Sequence, residues 1–114
     1  MALIRNISID QGSTYNAEVV IYDDQAVVLD LTNYPNAKMQ IKRNYTSINV
    51  TANPVCGSSS DTTGIVSISM TSADTLAIPA GRYVYDLIIS NADDSEIIRV
   101  LEGIATVAPG VTTI

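Results

Sequence analysis

Three groups of side chains in this chain have types and spacings that bear on chemistry. They are a lone thiol at Cys56, acidic pairs at Asp23-Asp24 and Asp93-Asp94, and a basic cluster at Lys38, Lys42 and Arg43. A cysteine reacts as its thiolate, and no His, Lys or Arg lies within five residues of Cys56 to favour that form. It therefore reads as inert, in a polar loop. Each aspartate pair falls in a turn, where Asp is common because its carboxylate bonds the backbone two residues on. No EF-hand-type spacing turns either pair into a calcium site. Asp86 and Glu102 fall on neighbouring expected strands and raise glycoside hydrolysis by paired carboxylates. A chain with no Trp and no Phe lacks the aromatic platforms that go with a sugar substrate.

Absences narrow the chemistry further. There is no histidine, which excludes a Ser-His-Asp triad, a Cys-His pair and a His-based metal site. One cysteine allows neither an internal disulfide nor a Cys-rich zinc site. No catalytic residue, metal or cofactor is expected. The balance of 6 basic to 12 acidic residues, a net charge of −6, is wrong for neutralising phosphates, so no nucleic-acid partner is expected. Lys38, Gln40 and Lys42 share one face of a strand. That face is either simply solvated or meets an acidic partner. The six tyrosines divide into core positions (Tyr15, Tyr83, Tyr85) and turn or edge positions (Tyr22, Tyr34, Tyr45). Exposed tyrosine either lids a core or serves an interface. Lys38, Lys42, Arg43 and Tyr45 are accordingly the candidate partner-binding residues.

The elements that carry these residues have an apolar period of two almost throughout, the mark of half-buried strands. Tyr15, Ala17, Val19 and Ile21 fall on one face of Thr14 to Tyr22. Ala37, Met39 and Ile41 face in while Lys38, Gln40 and Lys42 face out. Val66, Ile68 and Met70 share a side, as do Tyr83, Tyr85, Leu87 and Ile89. Ile97 to Val107 is apolar on both faces, and Gly103 marks a bulge or bend there. On simple alternation Arg99 and Glu102 fall on opposite faces, and Arg82 or Asp86 meets one of them across strands. Ile48 and Val50 suggest one more short strand. Asn53 to Gly64 reads as a mobile polar loop. Thr71 to Ala77 is the one helical candidate, capped by Ser72 and ended by Pro79 and Gly81.

At 114 residues and 12.1 kDa this is one domain, residues 1–110 with a short tail at 111–114. Met1 to Arg5 lacks the apolar run of a signal peptide. No window is long and apolar enough to span a membrane, so a soluble chain without a membrane partner is expected. The N-x-S/T triplets at Asn6, Asn44 and Asn49 read as chance matches. Seven to nine short strands with one helical turn mean an all-β sandwich, and a turn bridging two late strands fits an immunoglobulin-like one. Its core must hold by aliphatic and tyrosine packing, and its strand edges are able to pair with a neighbouring chain.

Several stretches also fall in a fixed order: Ile7-Ser8-Ile9-Asp10-Gln11-Gly12-Ser13-Thr14-Tyr15, Leu29 to Tyr34, Ala37 to Lys42, Leu76 to Leu87, Arg99-Val100-Leu101-Glu102-Gly103, and Val107 to Thr112. Together they resemble a family of small tailed-bacteriophage virion proteins, seen also in T4-like cyanophages. They are similar as well to the N-terminal domain of siphophage upper-baseplate proteins. The resemblance implies an immunoglobulin-like sandwich in a structural, non-enzymatic virion protein. Such a protein is made in the host cytoplasm and docks in multiple copies onto tail, baseplate, neck or capsid proteins, with self-association as a further option. Tail, baseplate or neck attachment stands ahead of capsid decoration. The alternative is a carbohydrate- or host-surface-binding module of a phage particle.

Overall fold

The computed structural model describes residues 3–23 and 25–111. The expectations placed on Met1, Ala2, Asp24 and the tail at 112–114 lie outside the described residues. Within them the order is β1 (Leu3–Ile4), β2 (Ile7–Asp10), β3 (Tyr15–Val20), β4 (Asn36–Lys42), β5 (Val55–Ser58), β6 (Ile65–Met70), α1 (Ser72–Leu76), β7 (Gly81–Ser90) and β8 (Ile97–Ala108). β1 and β2 lie end to end along one side of β8, both parallel to it. That sheet continues antiparallel through β7 to β4. The second sheet runs β3-β6-β5, all antiparallel. With β3 to β8 read as strands B to G, the sheets are GFC with an added N-terminal strand, and BED. That is the strand order of an immunoglobulin-like sandwich. Tyr83, near the start of strand F, donates its hydroxyl to the Pro79 carbonyl at 2.5 Å, which is the tyrosine corner of that fold.

The core is the alternation made solid. Val19, Ile21, Val66, Ile68 and Met70 of the smaller sheet face Met39, Ile41, Tyr83, Tyr85, Leu87 and Ile89 of the larger one, all buried. Burying each such side chain contributes on the order of 2 kcal/mol. Leu31 and Tyr34 close one end of the sandwich. Near the other end, Thr75 of α1 donates its hydroxyl to the Ser13 carbonyl (2.8 Å) and accepts the Gly12 N–H (3.0 Å). Gln11 reaches across to donate to the Ile78 carbonyl at 2.9 Å.

The N-terminal edge is set by one exchange of partners. β1 and β2 keep the same register on β8, so an unbroken parallel ladder would take the Ile104 N–H to the Arg5 carbonyl. Instead the Arg5 carbonyl accepts the Tyr85 hydroxyl, and the Asn6 side-chain oxygen accepts the Ile104 N–H at 3.1 Å. Gly103, opposite Tyr85 on β8, makes this possible. A Cβ there would collide with the Arg5 carbonyl oxygen.

Four local expectations are corrected. The bulge is at Val100, not Gly103: Leu87 pairs Leu101, but Ile88 pairs Arg99, leaving Val100 as the extra residue. Part of the expected mobile loop is β5, hydrogen-bonded to β6 across Val55–Ser58. Ile48 and Val50 form no strand, and Ile48 is 94% exposed. The chain instead turns at Asn44, whose Oδ1 accepts the Thr46 N–H (3.1 Å), and returns to bridge Ala52 to Ile41. The helix is capped by Thr71 rather than Ser72, in a reciprocal box with Asp74.

Gly103→Ala is expected to destabilise the fold by about 1–3 kcal/mol through overpacking. Tyr85→Phe is expected to cost about 1–2 kcal/mol by leaving the Arg5 carbonyl without its donor. Urea unfolding midpoints check both. Equal stability of either variant with the parent would show that the N-terminal strand is not held this way.

Candidate functional site

The outward side chains of β4, β7 and β8 form three rows. Lys42, Val84 and Ile104 make one, Gln40, Asp86 and Glu102 the next, and Lys38, Ile88 and Arg99 the third. The Val100 bulge creates the last row. Leu101, Gly103, Ala105 and Val107 face the core, so unbroken alternation would have sent Arg99 inward with them. The extra residue turns it outward, onto the face of Glu102. The expectation that Arg99 and Glu102 stand on opposite faces is thereby overturned: Arg99 Nη1 lies 3.2 Å from Glu102 Oε2. Arg99 Nε lies 3.5 Å from Asp86 Oδ2, the cross-strand meeting expected for Asp86.

Between this trio and the turn after β4 lies a shallow depression of about 170 Å³. Gln40, Lys42, Asn44, Tyr45, Val84, Asp86, Arg99 and Glu102 are among its walls. Small-molecule sites commonly enclose roughly 300–1,000 Å³. Its two carboxylates share one guanidinium and are open to solvent. A general acid in a paired-carboxylate mechanism needs the opposite, a desolvated pocket.

Of the four candidate partner-binding residues, three lie on this side of the larger sheet, and two of them, Lys42 and Tyr45, line the depression. Lys38 and Lys42 project from β4, and Tyr45, 75% exposed, rims the depression. Neither lysine has an ion-pair partner among the described residues. Arg43 points elsewhere. Its guanidinium lies over the Tyr83 ring, 5.2 Å from the centroid, where it braces the tyrosine corner. Arg99 and Ile88 belong to the face and were not among the candidates, because their placement depends on the bulge. Gln40 belongs as well, and its signal was its alternation with the two lysines.

No family model matches the chain, and no curated protein matches its sequence. Among solved structures the chain is similar to the NK cell receptor Nkp44, described as a triggering partner in natural cytotoxicity. The identity is 13% and the TM-score 0.43, over 95% of this chain and 99% of that one. The fold assignment rests on strand order and on the Tyr83 corner.

The remaining candidates are absorbed by local structure. Asp23 Oδ1 accepts the N–H groups of Gln25 (2.9 Å) and Val27 (3.0 Å). Asp93 Oδ1 accepts the Ser95 N–H at 3.2 Å, and Asp94 Oδ1 accepts the Ser90 hydroxyl at 2.6 Å. Hydrogen bonds from Ser95 hold the Asp93 carboxyl below the usual range, and those from Thr32 and Thr63 do the same for Asp30 and Asp61. No group of three or more metal-ligating side chains occurs among the described residues. Cys56 sits in β5, half-buried, its thiol near the backbone of Met39 and 3.7 Å from the Pro54 carbonyl. Burial pushes the thiol up to about 11.

The neutral thiol is favoured at physiological pH, so alkylation of Cys56 is expected to be slow. At pH 8 the thiolate fraction is lower than in the unfolded chain by roughly a hundredfold. Iodoacetamide labelling followed by mass spectrometry, with and without denaturant, checks this. Comparable rates in the two conditions would contradict the placement of Cys56 in β5.

Proposed function

We propose that this chain is a bacteriophage virion structural protein that docks in multiple copies onto a larger assembly through the outward face of β4, β7 and β8. The tail, baseplate or neck is the favoured place over capsid decoration. One observation supports the docking reading above the others. Lys42 and Tyr45 rim a depression whose acidic side chains are already tied to Arg99, Lys38 projects from the same face of β4 beside it, and neither lysine has an ion-pair partner among the described residues. Two lysines without ion pairs among the described residues, with apolar Ile88 and Val84 between them and Arg99 or Ile104, suit an acidic protein surface. Opposite charges there set register and speed encounter. The place on a virion comes from the ordered motifs.

The motif residues make physical sense as a set. Gln11, Gly12, Pro79, Tyr83, Tyr85, Arg99, Glu102 and Gly103 are the ones that join the ends, corner and edge of the sandwich. A building block needs such joints and no catalytic centre.

Mass spectrometry of purified virions from a phage encoding this chain is expected to find it in many copies per particle. Absence from the particle would sink the proposal. Lys38→Glu combined with Lys42→Glu is expected to reduce incorporation at least tenfold while leaving the unfolding midpoint of the free protein within about 0.5 kcal/mol of the parent. Sugar binding is the second reading, favoured by Tyr45 standing beside Gln40 and Asp86 on the rim. A glycan array signal that Tyr45→Ala abolishes would favour it over docking.

A further inference from the structure

The smaller sheet ends on β3, which is paired with β6 on one side only. The Ile21 N–H donates to the Gly64 carbonyl at 2.8 Å and so fixes the phase of the ladder. Tyr15, Ala17 and Val19 are the residues bonded to β6. Asn16, Glu18 and Val20 turn their N–H and C=O groups away from the sheet. None of these groups has a backbone or side-chain partner among the described residues. β4 is treated differently. The outward N–H and C=O of Ile41 are both taken, by Ala52 and Thr51. Of the common protections of an edge, β3 has no lysine, no proline and no bulge, and a single charged side chain, Glu18.

Glu18 is the one charge on this edge. It stands opposite Ser67, with Asn16, Val20 and Ser69 as its other neutral neighbours on the solvent face. It has no ion pair among the described residues. We propose that the β3 edge accepts an extended segment of a different protein as a fourth strand, with a Lys or Arg opposite Glu18. Main-chain bonds to Asn16, Glu18 and Val20 would supply affinity, and the carboxylate would select the segment. The choice of a different protein follows from charge. A second copy pairing its β3 with this one across a two-fold would set Glu18 and no cation against this edge, and would bring a second net charge of −6. The site is on the other sheet from the Lys38–Lys42 face and stands independently of it.

The test uses the full chain and two synthetic seven-residue peptides of alternating Thr and Val, one with a central Lys and one with a central Glu. Binding is followed by amide NMR shifts at low salt. The Lys peptide is expected to perturb Asn16, Glu18 and Val20 and to bind about threefold or more tightly than the Glu peptide. Glu18→Lys is expected to reverse that order, and Glu18→Gln to erase it. Equal binding of the two peptides would overturn the proposal, as would shifts confined to other strands or no shifts at all. Concentration-dependent self-association that protects the Asn16 and Glu18 amides from hydrogen exchange would also overturn it, in favour of a second copy.

Discussion

The fate of the Arg5 carbonyl organises much of this sandwich. An oxygen at that position belongs to the ladder with β8, yet it is bonded by the Tyr85 hydroxyl. For that to happen the backbone of β8 must approach without a side chain, which is what Gly103 supplies. Asn6 must then replace the lost acceptor for Ile104, and it does so with its side chain. The result is that strand F is pinned at two tyrosines. Tyr83 fixes its start to the Pro79 turn, and Tyr85 fixes its middle to the N-terminal strand. Many immunoglobulin domains hold their sheets with a disulfide from strand F. Here, with one cysteine in the chain, buried phenols bonded to main-chain oxygens tie strand F in place. An unpaired buried hydroxyl would cost about 1–3 kcal/mol, so these bonds specify geometry as much as they stabilise it.

How much was legible follows from how local each signal is. The inward rows of β3, β4, β6 and β7 could be read because period two is a property of the strand itself. Arg99 and Glu102 were misread because a bulge is decided by the partner strand. Nothing within Arg99-Val100-Leu101-Glu102 shows that Val100 will be skipped by β7. β5 was missed for a related reason. Val55-Cys56-Gly57-Ser58 has no apolar alternation, and it becomes a strand by pairing with β6. Ile48 and Val50 failed in the other direction, since two spaced apolar residues mimic a strand while Asn44 starts a tight turn. Arg43 is the instructive case at the candidate site. The same alternation that put Lys38 and Lys42 outward places residue 43 on the side of Met39 and Ile41. The structure honours that by laying it over Tyr83. Composition grouped three cations, and periodicity had already separated them.

The two sheets solve opposite problems at their edges, and this bears on how such a domain joins others. On the larger sheet the chain after β4 doubles back, so that Thr51 and Ala52 occupy the outward groups of Ile41. Cys56, half-buried beside the Met39 backbone, fills part of the space along the same edge. A strand partner is therefore discouraged there, and what this sheet offers is its face, with charge rows fixed by the Val100 bulge. On the smaller sheet the outward face is small and nearly neutral, with Ser67, Ser69 and Asn16, while the edge of β3 is bare apart from Glu18. A face binds by matching charge and shape, whereas an edge binds by main-chain pairing with little demand on sequence. Covering the β4 edge while leaving the β3 edge open separates these two modes. A partner selected by Lys38 and Lys42 would not compete with a strand added to β3, because the outward face of the larger sheet and the β3 edge of the smaller one are separate surfaces.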